Sequence, residues 1–480
     1  MKRMKIIGVT ALLIVLITQT LKAQVGKPFI HDPSTIVECD GKYYTFGTGG
    51  GGLISADGWI WNGGAVRPGG GAAPDVIKIG DRFLVLYGAT GGSSNHKGAI
   101  LTMWNKTLDP NSPDFKYTDA VVVATSDGYE ECDAIDPGVM LDPATGRLWV
   151  TYGTYFGFIR IVELDPKTGK LVAGNKPIDI AITCEASDLI YRDGWYYLLA
   201  THGTCCDGAN STYNIVVGRS KKVTGPYLDN VGRSMLEGGG KMVVATEGNL
   251  IGPGHFGHMI LGDGVEKMSC HYEADLVQGG RSVLGIRPLL WKNGWPVAGE
   301  NFKEGTYKIE SERRGYGLEL AVDFTRMAGG MRGFGRNNDE PVKSVPPQSL
   351  DSVSKNWPTG NIEVRIGDYL NRPNQRWTIT AAPDTVGYLG GRYYKILIAG
   401  TDRALAATAE AEVITVPAIT NAPEQLWRID QLTDGTYRIM PKIVPNTKKL
   451  LALMSFGDSR PALAPFDMNS DNFKWNFRAP

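Results

Sequence analysis

Through residues 27–300, short apolar runs alternate with polar ones and pair across glycine-containing turns. Thr35-Ile36-Val37 is followed by Asp40-Gly41 and then Tyr43-Tyr44-Thr45-Phe46. The pattern returns with Gly80-Asp81 before Phe83 to Tyr87, Thr145-Gly146 before Leu148 to Tyr152, and Asp193-Gly194 before Trp195 to Leu199. A weaker fifth instance is Gly262-Asp263-Gly264 before Met268 to Tyr272. Asp-Gly between alternating apolar runs signals a hairpin, because its tight turn needs positive φ. The turns recur every 40 to 70 residues or so, about the length of a four-stranded blade with its loops. Five such units predict a five-bladed β-propeller over residues 24–300, with a β-sandwich as the alternative.

Beyond residue 300 the period changes. Units open at Gly305-Thr306-Tyr307, Gly391-Arg392-Tyr393 and Gly435-Thr436-Tyr437, and close on Gln375-Arg376-Trp377, Gln425-Leu426-Trp427 and Phe473-Lys474-Trp475. These repeated closures resemble the Gln-x-Trp repeats of ricin-type β-trefoil lectins over roughly 303–478, with Phe473 in place of the third Gln. The resemblance implies a β-trefoil, assigned to residues 301–480, whose tryptophans form the core rather than a sugar platform. A polar, glycine-rich insertion from Ala328 to Gly360 reads as loop or disorder. The whole chain is thus predicted to be all-β, a five-bladed β-propeller followed by a β-trefoil domain.

Lys2, Arg3 and Lys5 precede an apolar run from Ile6 to Ile17, and Leu21-Lys22-Ala23 offers a small-residue exit. This reads as a signal peptide over residues 1–23, too short for the roughly 20 apolar residues that a spanning helix needs. The mature chain is expected to carry no integral membrane segment and to be exported, to the periplasm or beyond. Lys plus Arg and Asp plus Glu number 50 each, so the chain lacks the basic excess that nucleic acid or an acidic membrane surface demands. Six cysteines (Cys39, Cys132, Cys184, Cys205, Cys206 and Cys270) match no zinc spacing. Cys205-Cys206 reads either as a vicinal disulfide or as two buried thiols.

Aligning the units on their turns shows what heads each inner strand. The heads are His31-Asp32-Pro33, Ala73-Pro74-Asp75, Ile135-Asp136-Pro137, Cys184-Glu185-Ala186-Ser187-Asp188 and Gly252-Pro253-Gly254-His255. Inner strands of a propeller stand side by side around the channel, so Asp32, Asp136 and Glu185 should converge although far apart in sequence. Any one Asp-Pro is ordinary turn chemistry, but three acids in register are costly, because like charges resist joint ionisation. Glycoside hydrolysis needs that arrangement: one carboxylic acid protonates the leaving oxygen while a carboxylate activates water.

The fragments His31-Asp32-Pro33-Ser34, Ala73-Pro74-Asp75-Val76, Ala134-Ile135-Asp136-Pro137-Gly138 and Glu185-Ala186-Ser187-Asp188 resemble glycoside hydrolase family 43. So does the run from Ser211-Thr212-Tyr213 through Gly218-Arg219-Ser220 to Gly225-Pro226-Tyr227, and the likeness spans about 28–295. The resemblance implies a five-bladed propeller that inverts configuration while cutting arabinose- or xylose-containing polysaccharide. By position, Asp32 would be the general base, Glu185 the general acid, and Asp136 the group that orients Glu185 and raises its pKa. The two working carboxyls would stand roughly 6.5–9.5 Å apart. Thr204-Cys205-Cys206, Ser211-Thr212-Tyr213 and Gly252-Pro253-Gly254-His255 are most similar to the α-1,5-arabinanase branch. That likeness implies a calcium ion in the channel near His271, whose alternative is a structural role. His255, Arg219 and Ser211 are the candidate substrate contacts, with a strand-end cap as the alternative for His255 and carbonyl binding for Arg219. A single His with waters would hold calcium loosely, because calcium prefers oxygen ligands. No organic cofactor is implied.

The implied substrate is plant polysaccharide or oligosaccharide, foremost arabinan cut internally. Exo-acting α-L-arabinofuranosidase, β-xylosidase and galactan-side-chain hydrolase are the alternatives within the family. A non-catalytic carbohydrate-binding protein is the alternative of another class, and it gives no reason for three acids. Ala72-Ala73, after the glycine run Gly69-Gly70-Gly71, leaves blade two without an aromatic stacking surface.

Overall fold

The computed structural model describes residues 24–480, apart from 91–97, 128–130, 314, 323–348, 384–386, 390 and 457–458. The signal-peptide segment 1–23 and most of the insertion predicted from Ala328 therefore lie outside the described residues. The insertion's described end is a short helix, Leu350–Ser354, whose first turn is capped by the Ser349 side chain.

Blade one orders its strands from the inside as Val37–Cys39, Lys42–Phe46, Gly51–Ser55 and Ile60–Val66. Blades two to five are four-stranded sheets with inner strands Ala72–Ile79, Gly138–Leu141, Glu185–Arg192 and Leu250–Gly262. All five predicted turns join a first strand to a second. Asp40-Gly41, Asp193-Gly194 and Asp263-Gly264 each place two consecutive residues at positive φ, the geometry that lets a two-residue turn follow the strand twist.

Both faces of each blade are apolar because both are covered. Tyr44 and Phe46 of blade one pack with Phe83 and Val85 of blade two, while Leu84 and Leu86 on blade two's other face pack with Leu148 and Val150. Trp149 and Ile161 then meet Leu189 and Leu198, and Ile190 and Tyr197 meet Phe256 and Met268. A fifth cluster closes the ring, joining Ile36 and Trp61 of blade one to Met259, Leu284 and Ile286 of blade five. The N-terminal segment straps the same junction: Val25–Gly26 runs parallel to Ile60–Trp61, and the Pro28 carbonyl accepts the Leu284 N–H at 2.8 Å.

In the C-terminal region six strands close on themselves: Gly305–Ser311, Trp377–Ala381, Tyr394–Ile398, Trp427–Gln431, Tyr437–Pro441 and Trp475–Arg478. Each repeat adds a hairpin to this barrel, which makes a trefoil of three four-stranded units. Trp377, Trp427 and Trp475 are fully buried. Each indole N–H donates to the leucine carbonyl of its own repeat's hairpin, Leu318, Leu405 and Leu453, at 2.8, 3.0 and 2.9 Å. The repeated tryptophans are therefore core anchors. Phe473 stands where the other repeats have Gln375 and Gln425, and it packs on Met440 and Ala452 instead of bonding the backbone.

Candidate active site

One residue at the head of each blade adopts positive φ: Asp32 (50°), Ala73 (46°), Asp136 (54°), Ala186 (47°) and His255 (61°). A residue with a side chain enters this region at a cost, and five equivalent instances mark a backbone bent for a purpose. The strand ladders break at the same place in blades two, four and five, between Ala72 and Asp75, Glu185 and Asp188, and Gly254 and Gly257. Such irregularities re-aim side chains. In this frame Asp32 and Asp136 are equivalent, whereas the blade-four equivalent is Ala186. Glu185 sits one residue earlier, so it enters the site out of phase with the other two acids.

Asp75, at the head of blade two, is a structural clamp. Its carboxylate accepts Thr35 N–H and Val139 N–H, each at 2.9 Å, tying the inner strands of blades one, two and three together.

Asp32 is the most heavily contacted acid of the site. Thr48 Oγ1 donates to its Oδ2 at 2.6 Å, and His31 Nδ1 lies 2.9 Å from the same oxygen. Its own N–H donates to His271 Nδ1 at 3.2 Å, and His255 Nδ1 makes an ionic contact at 3.7 Å. Burial alone would raise its pKa, but the histidines outweigh burial and hold the carboxyl well below the usual range.

His31 is a fixed cation. Its second nitrogen lies 3.2 Å from Glu273 Oε1, so both ring nitrogens face carboxylates and both must be donors. Burial opposes that charge, yet Asp32 and Glu273 raise the imidazole to about 10. Glu273, which burial would push up, is held at about 2 by His271 and His31.

Glu185 behaves in the opposite way. It is buried, and burial followed by the charges of Asp32 and Glu273 pushes it up to about 8. The Tyr213 hydroxyl donates to Glu185 Oε1, leaving the other carboxyl oxygen to carry a proton. Gly254 makes room for this tyrosine: a Cβ there would meet the Tyr213 ring at 2.5 Å. Asp136 is pushed well above its ordinary value by burial, then by the charges of Glu185 and Asp32. Asp136 and Glu185 thus both stand above the ordinary carboxylate range, each buried and close to other acids.

Two expected substrate contacts lie elsewhere. Arg219 pairs with Tyr197, which stands opposite Ile190, five residues along the inner strand from Glu185. At about 3.3 Å per residue that is roughly 16 Å away, at the other end of the blade. There its guanidinium lies over Trp195 and Trp295 at 4.4 and 4.5 Å and donates to the Gly294 carbonyl at 3.1 Å. Ser211 is buried, donates to the Thr204 carbonyl at 2.7 Å and accepts the Tyr213 N–H at 3.2 Å. It fixes the loop that carries Tyr213 instead of facing a sugar. His255 does stand in the site, with its N–H bonded to Thr201 Oγ1 at 2.9 Å.

His31, Thr48, Tyr213 and Glu273 were not singled out by sequence. His31 and Tyr213 fall inside the matched fragments, which was the available signal. Cys205 and Cys206 are joined in a vicinal disulfide, and the other four cysteines are buried free thiols.

His31, Asp32 and His271 offer ligand atoms within 4.8 Å of one another. Both His31 nitrogens face carboxylates, and His271 has Nδ1 toward the Asp32 N–H and Nε2 toward Glu273 at 3.3 Å. This donor set is no oxygen cage of the kind calcium prefers. Both His271 nitrogens are engaged within the protein, so a cation here would have to displace the Glu273 contact at Nε2 and be held otherwise by water.

In the trefoil a cleft of ≈ 340 Å³ is lined by Arg313, Ser455, Phe456, Asp471 and Asn472. No helix among the described residues is long and apolar enough to cross a membrane.

A five-bladed propeller whose strand heads bring a carboxyl held low close to one pushed up carries the paired acids of a glycoside hydrolase. Comparison with known proteins places it further. The family model for glycosyl hydrolases family 43 matches residues 49–296, and the model for ricin-type beta-trefoil lectin domain-like sequences matches 370–461. An extracellular exo-α-(1→5)-L-arabinofuranosidase of Cellvibrio japonicus is 31% identical over 264 residues, covering 51% of this chain and 72% of that protein. An extracellular endo-α-(1→5)-L-arabinanase of Bacillus subtilis is 33% identical over 228 residues, covering 47% and 67%. The crystal structure of an exo-1,5-α-L-arabinanase from a bovine ruminal metagenomic library superposes with a TM-score of 0.51 at 33% identity, covering 57% of this chain and 97% of that one. The chain belongs to glycosyl hydrolases family 43.

Proposed function

We propose that this enzyme hydrolyses α-L-arabinofuranosyl linkages in arabinan, cutting the chain internally and inverting the anomeric configuration. The observation that carries the roles is the opposite protonation of Asp32 and Glu185 within one pocket. Glu185 donates its proton to the glycosidic oxygen as the bond to the anomeric carbon breaks. Asp32 takes a proton from the water that attacks that carbon from the opposite face. Asp136, neutral beside Glu185, keeps a second acid close without a second charge and orients the proton donor. Thr48 and His31 hold the Asp32 carboxylate, and Tyr213 holds Glu185 Oε1.

The substrate follows from the relatives, which the names above describe as acting on α-1,5-linked arabinose. Both are described as extracellular, which supports export of this chain. Calcium, if bound in the channel, would be held by His271 and water beside Asp32, supplying positive charge there.

Wild type and Glu185→Gln are to be assayed on debranched arabinan and on para-nitrophenyl α-L-arabinofuranoside. Wild type should release oligosaccharides from the polymer, with the inverted anomer appearing first by NMR, and the variant should be inactive on arabinan. Arabinose as the sole early product would make the enzyme exo-acting. Wild type as inert as the variant on both would remove the catalytic reading.

A further inference from the structure

We propose that the Cys205–Cys206 disulfide is a sugar-contacting surface at the mouth of the site, taking the furanose ring next to the one whose bond is cut. The proposal rests on the arabinan reading above. Its first support is position. The two sulfurs, a His31 ring nitrogen and a Glu273 carboxylate oxygen all lie within 4.8 Å of one another. Cys206 N–H donates to Glu273 Oε1 at 3.2 Å, the oxygen that also faces His31 at 3.2 Å. His31 in turn grips Asp32 at 2.9 Å. The disulfide is therefore one side chain removed from the carboxylate that activates water.

The second support is presentation. Cys206 is exposed and Cys205 half-buried, whereas the four free cysteines are buried. Their loop is pinned beneath them: Ser211 Oγ donates to the Thr204 carbonyl at 2.7 Å, Thr204 N–H to Thr212 Oγ1 at 3.0 Å, and Thr212 N–H to Thr204 Oγ1 at 3.1 Å. A pinned surface contacts a ligand without an ordering cost.

The third support is chemistry. A bridge between adjacent residues closes almost no loop, so it removes little entropy from the unfolded chain and is a poor global staple. Joined sulfurs also carry no thiolate, so the cluster is not a cysteine metal site. What remains is a compact, polarizable, apolar face with no donor to satisfy, suited to the C–H face of a sugar ring. The head of blade two carries Ala72 and Ala73, the latter fully buried, and supplies no stacking side chain of its own.

The test compares oxidised full-length enzyme, enzyme reduced with a phosphine and verified by thiol count, and enzyme reoxidised afterwards. Two double variants accompany them: Cys205→Ser/Cys206→Ser, and Cys205→Leu/Cys206→Gly, which restores an apolar face and a residue at ease with the positive φ of position 206. On linear arabino-oligosaccharides, reduction and the serine variant should raise KM about five- to tenfold with kcat nearly unchanged. Reoxidation should restore KM, and the Leu/Gly variant should keep most of the wild-type value. On para-nitrophenyl α-L-arabinofuranoside kcat should stay within about twofold throughout, since the reacting groups are untouched. Unchanged KM on verified reduction overturns the proposal. So does a loss of kcat in both variants alike, which would make the bridge a support for Glu273 and His31. A wild type inactive on every arabinose substrate overturns the functional reading instead, and this proposal with it.

Discussion

Replacing Glu185 by Gln should make the protein more stable while disabling it, and the gain should grow with pH. Glu185 binds its proton with a pKa of about 8, against an ordinary 4.5, because burial and the charges of Asp32 and Glu273 oppose its ionisation. Between those values the folded protein holds a proton that the unfolded chain has released. Stability linked to this group is therefore fully present below pH 4.5 and is lost as pH rises toward 8. At about 1.4 kcal/mol per pH unit the loss is on the order of 3 kcal/mol by pH 7. Gln cannot ionise, and it keeps an oxygen to accept the Tyr213 hydroxyl. The variant should match wild type near pH 4.5 and exceed it by on the order of 3 kcal/mol at pH 7. Urea denaturation of both proteins at pH 4.5, 6, 7 and 8, followed by tryptophan fluorescence, measures the difference. Asp136 is raised in part by the charge of Glu185, so the same pair is also compared in an Asp136→Asn background, which isolates position 185. An advantage that is absent, or constant across that range, would refute the argument. It would mean that Glu185 is ionised at neutral pH and holds no proton to give.

Thr48→Val removes the hydroxyl that donates to Asp32 Oδ2 and leaves the Ala73 N–H without the acceptor it has at 3.0 Å. A hydrogen bond to a charged group is worth about 1.5–3 kcal/mol, so kcat on arabinan should fall by at least about tenfold with KM little changed. Equal kcat in steady-state assays would show that Asp32 needs no such positioning. Calcium binding, measured by calorimetry on chelator-treated protein, should be weak and abolished in His271→Ala, and affinity unaffected by that substitution would place the ion elsewhere.

The fold was legible because its punctuation is local. A two-residue turn demands Asp-Gly whatever surrounds it, and each Trp closure repeats because three equivalent barrel positions need the same anchor. Asp32 and Asp136 were legible for a similar reason, since each precedes a proline at a strand head. The phase of Glu185 was not. Aligning turns assigns a residue to a blade, but the positive φ of Ala186, the equivalent of Ala73, puts Glu185 one residue before the position that Asp32 and Asp136 occupy. Arg219 and Ser211 misled because proximity to a motif in sequence is not proximity in space. A strand running from Asn214 carries its sixth residue to the far end of the blade. His31 was invisible as a cation for the opposite reason. Its charge depends on Glu273, which lies 242 residues away in the chain.

The arrangement also explains how so many acids are tolerated together. Asp32 and Glu273 are ionised, and the His31 imidazolium lies between them. Glu185, Asp136, Asp75 and Asp188 have no imidazolium between them in this way, and all four are pushed up instead. Buried charge is thus present only where it is paired, which is the condition under which burial is affordable. On the proposed roles, one turnover moves a proton from Glu185 to the leaving oxygen and another from water to Asp32. The negative charge therefore leaves the His31 side of the pocket and arrives on Glu185, where the Tyr213 hydroxyl already points at Oε1. The total charge of the cluster never changes during the chemical step. Rearranging a constant charge among fixed donors costs less than creating one in a buried pocket, and this is the sense in which the site is organised for the reaction before substrate arrives.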